Sequence, residues 1–117
     1  MKLLMFIIRA EKLETVKEIL DNYGCGGMTV STAMGCGMQR GFSDDKAIAE
    51  IKGYKVNINL LPKIKVEAVV EDELVDSILL DVREHIATGK VGDGKVFILP
   101  VEDAMRIRTG ERGDSAI

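Results

Sequence analysis

Tryptophan is absent from this 117-residue chain, histidine occurs once, cysteine and proline twice each, and three Phe and two Tyr are its only aromatic side chains. Each scarcity removes a class of function. Few aromatics leave little on which to stack bases, and a net charge of −3 with mixed signs gives no basic stripe, so no nucleic acid partner is expected. Cys25 and Cys36 form no CxxC pair and His85 stands alone, so no metal constellation is expected from the sequence. Unpaired thiols fit a cytoplasmic protein. The apolar start from Met1 to Ile8 is cut by Arg9 and followed by no small-residue cleavage site. It is too short for a signal peptide or a membrane span, so no direct membrane insertion is expected. No candidate nucleophile stands beside a base, so no catalytic residue is assigned and the chain is not read as an enzyme.

What is present is 46% hydrophobic and 30% charged, the balance of a folded rather than disordered chain. At this length one domain over 1–117 is expected, burying roughly two-thirds of its unfolded surface. Leu3 to Ile8 is a continuous apolar run that fits a strand buried on both faces. Leu13, Val16, Ile19, Leu20 and Tyr23 recur at helical spacing, and Gly24, Gly26 and Gly27 break that helix. Met28 to Ala33 is β-prone and closes in Gly35 and Gly37. From Met38 to about Lys55 the pattern dissolves, apart from a helical hint at Ala47, Ile48 and Ile51; so long a loop suggests function. Val56, Ile58 and Leu60 alternate with asparagines as a half-buried strand, which Ile64, Val66, Ala68 and Val70 continue beyond Pro62, placed at a bulge or edge. Glu71, Asp72 and Glu73 favour the N-terminus of a helix carrying Val75, Ile78, Leu79, Val82 and Ile86. Val96 to Leu99 makes another strand, and Met105 to Arg108 a short one.

Strand, helix, strand, long loop, strand, helix, strand is the order of an α+β fold, a ferredoxin-like βαββαβ sandwich. Both helices would cover one sheet face. The other face has too many apolar positions to meet water, which predicts association of subunits with their sheets facing inward.

The chemistry concentrates at Thr88 to Lys95, T-G-K-V-G-D-G-K. Its glycines let backbone amides approach a ligand, and Lys90 and Lys95 add charge, as in a phosphate-binding loop. The other reading is a helix end capped by Gly89 and then a tight turn. Gly89-x-x-x-x-Gly94-Lys95 approaches a Walker A motif, but Val96 follows where Ser or Thr is needed, and the loop runs from helix to strand rather than the reverse. Arg106 and Arg108, two apart in a strand, would point the same way and suit a polyphosphate, or equally a solvated edge. Asp93 reads as well as an orienting residue as a catalytic one. His85 reads as a surface or capping side chain.

Five stretches together resemble the PII signal-transduction proteins over essentially the whole chain: Gly27-Met28-Thr29-Val30, Gly35-Cys36-Gly37-Met38-Gln39-Arg40-Gly41, Leu61-Pro62-Lys63-Ile64-Lys65, Thr88 to Phe97, and Arg106-Ile107-Arg108-Thr109-Gly110-Glu111. The resemblance implies a homotrimer with a nucleotide site in each cleft between subunits, taking ATP or ADP in competition. By the same resemblance, magnesium would accompany ATP and support binding of 2-oxoglutarate. It further implies that Lys90, Gly92, Asp93, Gly94 and Lys95 hold phosphates, with Arg106 and Arg108 reaching in from the neighbouring subunit. Thr29 and Val69 would flank the base, with Gly37 and Met38 nearby. Gln39 would ligate magnesium and 2-oxoglutarate, whose site would also draw on Gly41, Lys63 and Arg9. The stretch 38–55 corresponds to the family's T-loop, which docks on target proteins, 88–95 to its B-loop and 106–117 to its C-loop.

This sequence departs from the family pattern in two places. Met38 stands where an arginine is usual, which removes one phosphate contact and bears on the choice between ATP and ADP. The T-loop is longer than usual, Val56 falls where many members carry a modifiable tyrosine, Tyr54 is not aligned with it, and Ser43 is the loop's only serine, so uridylylation is not expected. The implied target is an ammonium channel, another transporter, a nitrogen-metabolism enzyme or nitrogenase. The alternative is a divergent sensor of another adenine nucleotide or a small carboxylate, controlling a non-ammonium transporter.

Overall fold

Alternation decides which way the first strand faces. In β1 (Lys2–Ile8), Leu4, Phe6 and Ile8 are buried, while Leu3, Met5 and Ile7 between them are only half-buried. The computed structural model describes residues 1–36, 48–51, 54–57 and 60–117, with the backbone alone at 48–51 and 54–57. Two helices cover the buried side of β1. Helix α1 (Leu13–Asn22) turns Val16, Ile19 and Leu20 inward, and α2 (Val75–Ile86) turns Ile78, Val82 and Ile86. These meet Leu4, Phe6 and Ile8 together with Val66, Ala68 and Val70 in one apolar cluster, as helical and strand periodicities of matching polarity dictate. The Tyr23 hydroxyl, 2.5 Å from Asp81 and 3.2 Å from the Ser77 carbonyl, ties the end of α1 to α2.

Four strands form the main sheet: β2 (Thr29–Gly35), β5 (Leu61–Val70), β1 and β6 (Lys95–Pro100), antiparallel throughout and in that spatial order. With both helices on one face, this is the expected α+β, ferredoxin-like arrangement. The register sets the opposite, open face. Leu99, Leu3 and Val69 form one row across it, and Phe97, Met5, Glu67 and Thr29 the next. Lys95, Ile7, Lys65 and Ser31 follow, and Lys63 and Ala33 lie beyond them.

Four sequence readings need correction. First, β1 is not buried on both faces, because among the described residues no second layer covers the row of Leu3, Met5 and Ile7. Second, the helical hint at Ile48 and Ile51 is instead a strand, β3 (Ile48–Ile51), paired antiparallel with β4 (Tyr54–Asn57) in a separate two-stranded sheet. Third, the alternation read across Pro62 as one strand belongs to two, since β4 pairs with β3 whereas β5 pairs with β2 and β1. Pro62 faces Met34 of β2 in the part of β5 that overhangs β1, whose ladder ends at Ile8 and Ile64, so its missing N–H leaves one neighbour only to satisfy. Fourth, Met105 to Arg108 is no strand. Met105 makes a single bridge to Arg112, and the chain turns at 107–109 between them.

Candidate functional site

The loop between α2 and β6 is built by captured carbonyls and a captured carboxylate. Helix α2 stops at Ile86, and Ala87 is extended, with φ −63° and ψ 131°. Gly89 therefore does not cap the helix, as one reading of the sequence held; its positive φ serves a turn closed from further along the chain. The Asp93 carboxylate closes it, accepting from the Thr88 amide at 2.8 Å, the Gly89 amide at 3.0 Å and the Thr88 hydroxyl. Those bonds, led by the Thr88 hydroxyl and amide and assisted by Gly89 and the charge of Arg9, hold the Asp93 carboxyl below its ordinary value. Asp93 thus orients the loop. From outside, Lys63 Nζ donates to the Gly92 carbonyl at 2.9 Å, and Arg9 donates to the carbonyls of Gly92 at 3.1 Å and Val91 at 2.8 Å.

Gly94 is where the loop joins the sheet. Its φ is +101°, and a Cβ there would lie 1.9 Å from the Ile7 carbonyl oxygen. Only glycine lets the loop approach β1 this closely, and that approach carries Lys95 into register with Ile7 at the start of β6.

A cavity of about 450 Å³ opens beside this loop. Its lining includes Lys63, Lys90, Gly92, Asp93, Gly94 and Lys95, and on the sheet Ile7, Gly35 and Phe97. Three lysines around backbone amides at a left-handed turn suit an anion. The larger cavity, about 620 Å³, lies at the other end of the open face. Thr29 and Val69 line it with Leu3 and Glu67, and Arg106 closes it beside the terminal Ala116 and Ile117.

The residues expected at one site are thus divided between two. Lys63, Lys90 and 92–95 share the smaller cavity; Thr29, Val69 and Arg106 share the larger. Arg106 and Arg108 do not project from one strand face as expected. Arg106 is half-buried and paired with Glu111 at 3.3 Å, while Arg108 is exposed on the turn that follows. Arg9, assigned by resemblance to an oxoglutarate site, spends its guanidinium on loop carbonyls. Gly37, Met38, Gln39 and Gly41 lie outside the described residues, and with them the expected magnesium ligand.

Ile7, Gly35, Glu67 and Phe97 line the two cavities without having been assigned to a site from the sequence. The strand register could have found them, because they share the open face with Thr29 and Lys63. His85 is exposed, with Nδ1 2.8 Å from the Asp81 carbonyl, the surface position expected of it. Asp81, Glu84 and His85 bring ligand atoms within 4.8 Å of one another, a grouping that counting histidines did not foresee. The Asp81 carboxylate is already engaged by Tyr23. Among the described residues no helix is long and apolar enough to cross a membrane.

Sequence comparison agrees with this geometry. Residues 1–111 match the family model for the nitrogen regulatory protein P-II. The chain is 45% identical over 117 residues to nitrogen regulatory protein P-II 2 of Methanothermobacter thermautotrophicus, spanning all of this chain and 97% of that one. It is 42% identical, over the full length of both, to the nitrogen regulatory proteins P-II of Azospirillum brasilense and Rhodospirillum rubrum. A ferredoxin-like sheet with a glycine loop braced at its end, and relatives matched from end to end, lead to one conclusion: the chain belongs to the nitrogen regulatory protein P-II family.

Proposed function

We propose that this protein is a trimeric, cytoplasmic nucleotide sensor, with ATP or ADP bound in clefts between subunits and a target protein regulated through residues 38–55. Membership of the family carries the coarser part: a signal transducer in nitrogen regulation, not an enzyme. The nucleotide part rests on one observation. A cavity suited to a base, with Thr29 and Val69, and a loop suited to phosphates, 88–95, lie at opposite ends of the same open sheet face. One chain offers each half separately, and a neighbouring chain laid against that face would bring one half to the other. The face itself favours such a neighbour, since Phe97 is 49% exposed and Leu99 39%, with Leu3 and Met5 in the same rows.

In this reading the amides of 92–94, with Lys90 and Lys95, hold the phosphates. Arg106 and Arg108 arrive from the adjacent subunit, where exchange of Glu111 for phosphate oxygens would make Arg106 a charge-assisted donor. Gln39 is the expected magnesium ligand when ATP is bound, and Gln39, Gly41 and Lys63 the expected contacts of 2-oxoglutarate.

Titration calorimetry with ATP and with ADP tests the reading. Binding of both in the micromolar range is expected, and the absence of heat from either nucleotide overturns it. Native mass spectrometry should give the mass of three chains. Measurable 2-oxoglutarate binding is expected only with ATP and magnesium present, and recovery of a transporter or a nitrogen-metabolism enzyme in a nucleotide-dependent pull-down would identify the target. Met38, in place of the usual arginine, favours a second reading: a sensor of another adenine nucleotide or a small carboxylate, acting on a non-ammonium transporter. A thermal-shift screen separates the two, because only a ligand that binds the folded state raises Tm.

A further inference from the structure

Arg9 lies at the end of β1, yet its guanidinium hydrogen bonds reach a loop 82 and 83 positions later in the chain. Nη2 donates to the Val91 carbonyl at 2.8 Å and Nε to the Gly92 carbonyl at 3.1 Å, so one guanidinium grips two successive carbonyls. A trans peptide sets its C=O and the following N–H on opposite sides, and there is no cis bond among the described residues. Pinning the carbonyls of Val91 and Gly92 toward Arg9 therefore turns the N–H groups of Gly92 and Asp93 away from it. Positive φ at Gly92 and Gly94 lets the chain make that reversal. Gly92 and Asp93 line the 450 Å³ cavity, as does Lys63, which shares the Gly92 carbonyl with Arg9, whereas Arg9 is not part of the lining.

We propose that Arg9 is a positioning residue of the phosphate-binding loop, which fixes the direction of the Gly92 and Asp93 amides through the carbonyls behind them, rather than a direct contact of a carboxylate ligand. The inference rests on the nucleotide-binding reading above. Arginine suits the task because two donors in a rigid fork match two acceptors on adjacent peptides, whereas lysine offers a single point of charge. The guanidinium also gives the loop a fixed positive charge next to where a polyphosphate would lie.

The test compares wild type, Arg9→Gln and Arg9→Lys in the absence of 2-oxoglutarate. ATP and ADP affinities are read by calorimetry and adenosine affinity by ligand-observed NMR. A lost charge-assisted pair of hydrogen bonds predicts ATP and ADP binding about tenfold weaker in Arg9→Gln. Adenosine binding should be unchanged, Arg9→Lys should fall between the two, and the amide resonances of Gly92 and Asp93 should move in the unliganded variants. If Arg9→Gln does not fold by circular dichroism, Arg9→Lys carries the same comparison of ATP against adenosine. Unchanged ATP affinity in the variants, with 2-oxoglutarate binding lost, overturns the inference in favour of a direct ligand role. Equal weakening of adenosine and ATP overturns it in favour of a general structural one. A wild-type protein that binds no nucleotide refutes the functional reading itself, a result separate from either.

Discussion

Two segments of this molecule carry the positive groups of the proposed site, and they differ in how far the bonds that hold them reach. The loop 88–95, closed within by Asp93, is also gripped from afar, by Arg9 and Lys63 across 82, 83 and 29 positions of sequence and by close approach of Gly94 to Ile7. The turn 103–113 is held by its own bonds: the Arg106 amide to the Glu111 carbonyl, Gly110 to Arg106, Gly113 to Ala104, and the Asp103–Arg112 ion pair. The first is fixed by contacts made within one chain. The second is an appendage on the open face, and in the proposed reading it would gain its role when another chain brings a ligand to it. In that reading, preorganisation is invested in one half of the proposed site and left to assembly in the other.

The sharpest way to break this contrast is to place the same methyl group in both segments. Gly94 and Gly110 both have positive φ, +101° and +75°, but a Cβ at Gly94 meets the Ile7 carbonyl at 1.9 Å and one at Gly110 meets nothing within 4 Å. Gly94→Ala should cost about 3–5 kcal/mol, from backbone strain plus displacement of a sheet strand. Gly110→Ala should cost about 1 kcal/mol, the conformational part alone. Urea unfolding of both variants measures the difference, and equal midpoints would show that the loop is no better fixed than the turn.

Asp93 sharpens the comparison through pH. Its folded-state carboxyl titrates below the ordinary value, chiefly because of Thr88, so its contribution is fully present above that ordinary value and is lost as pH falls through the lower folded one. The stability difference between wild type and Asp93→Asn should therefore be constant near neutrality and shrink below about pH 4. A difference that persists unchanged to acid pH would mean that charge at Asp93 does not hold the loop.

What the sequence made legible divides along the same line. Both helices, β1 and the central part of β5 declared themselves, the helices by spacings such as Val16, Ile19 and Leu20, β1 as the unbroken apolar run Leu3 to Ile8, and β5 by the alternation of Ile64, Val66, Ala68 and Val70. The loop was visible as glycines and lysines. Its bracing was not, because nothing local links Arg9 to Val91. Ile48 and Ile51 suggested a helix because a spacing of three fits one; pairing with Tyr54–Asn57 decided otherwise. Arg106 and Arg108 suggested a strand by alternation, but alternation is silent on partners, and the chain there folds back on Glu111 instead of joining a ladder. Strand partners and long-range hydrogen bonds are tertiary facts, and they account for most of what the sequence left hidden.

The smallest effect expected is that of Glu111→Gln. Arg106 and Glu111 are 38% and 45% exposed, so solvent screens their ion pair and its removal should change stability by no more than about 0.5 kcal/mol. The turn survives, because the Arg106 and Gly110 backbone bonds at 2.8 and 2.7 Å do not involve the carboxylate. Nucleotide affinity should hold or rise slightly, since Arg106 is freed from a competitor for the same guanidinium. Unfolding at low and at high salt checks the first expectation and calorimetry with ATP the second. A loss of stability approaching that of Gly94→Ala would make the turn part of the folded core and abolish the distinction between the two segments. A fall in ATP affinity at unchanged stability would instead show that Glu111 aims Arg106 into the cleft, and that this half of the site is preorganised as well.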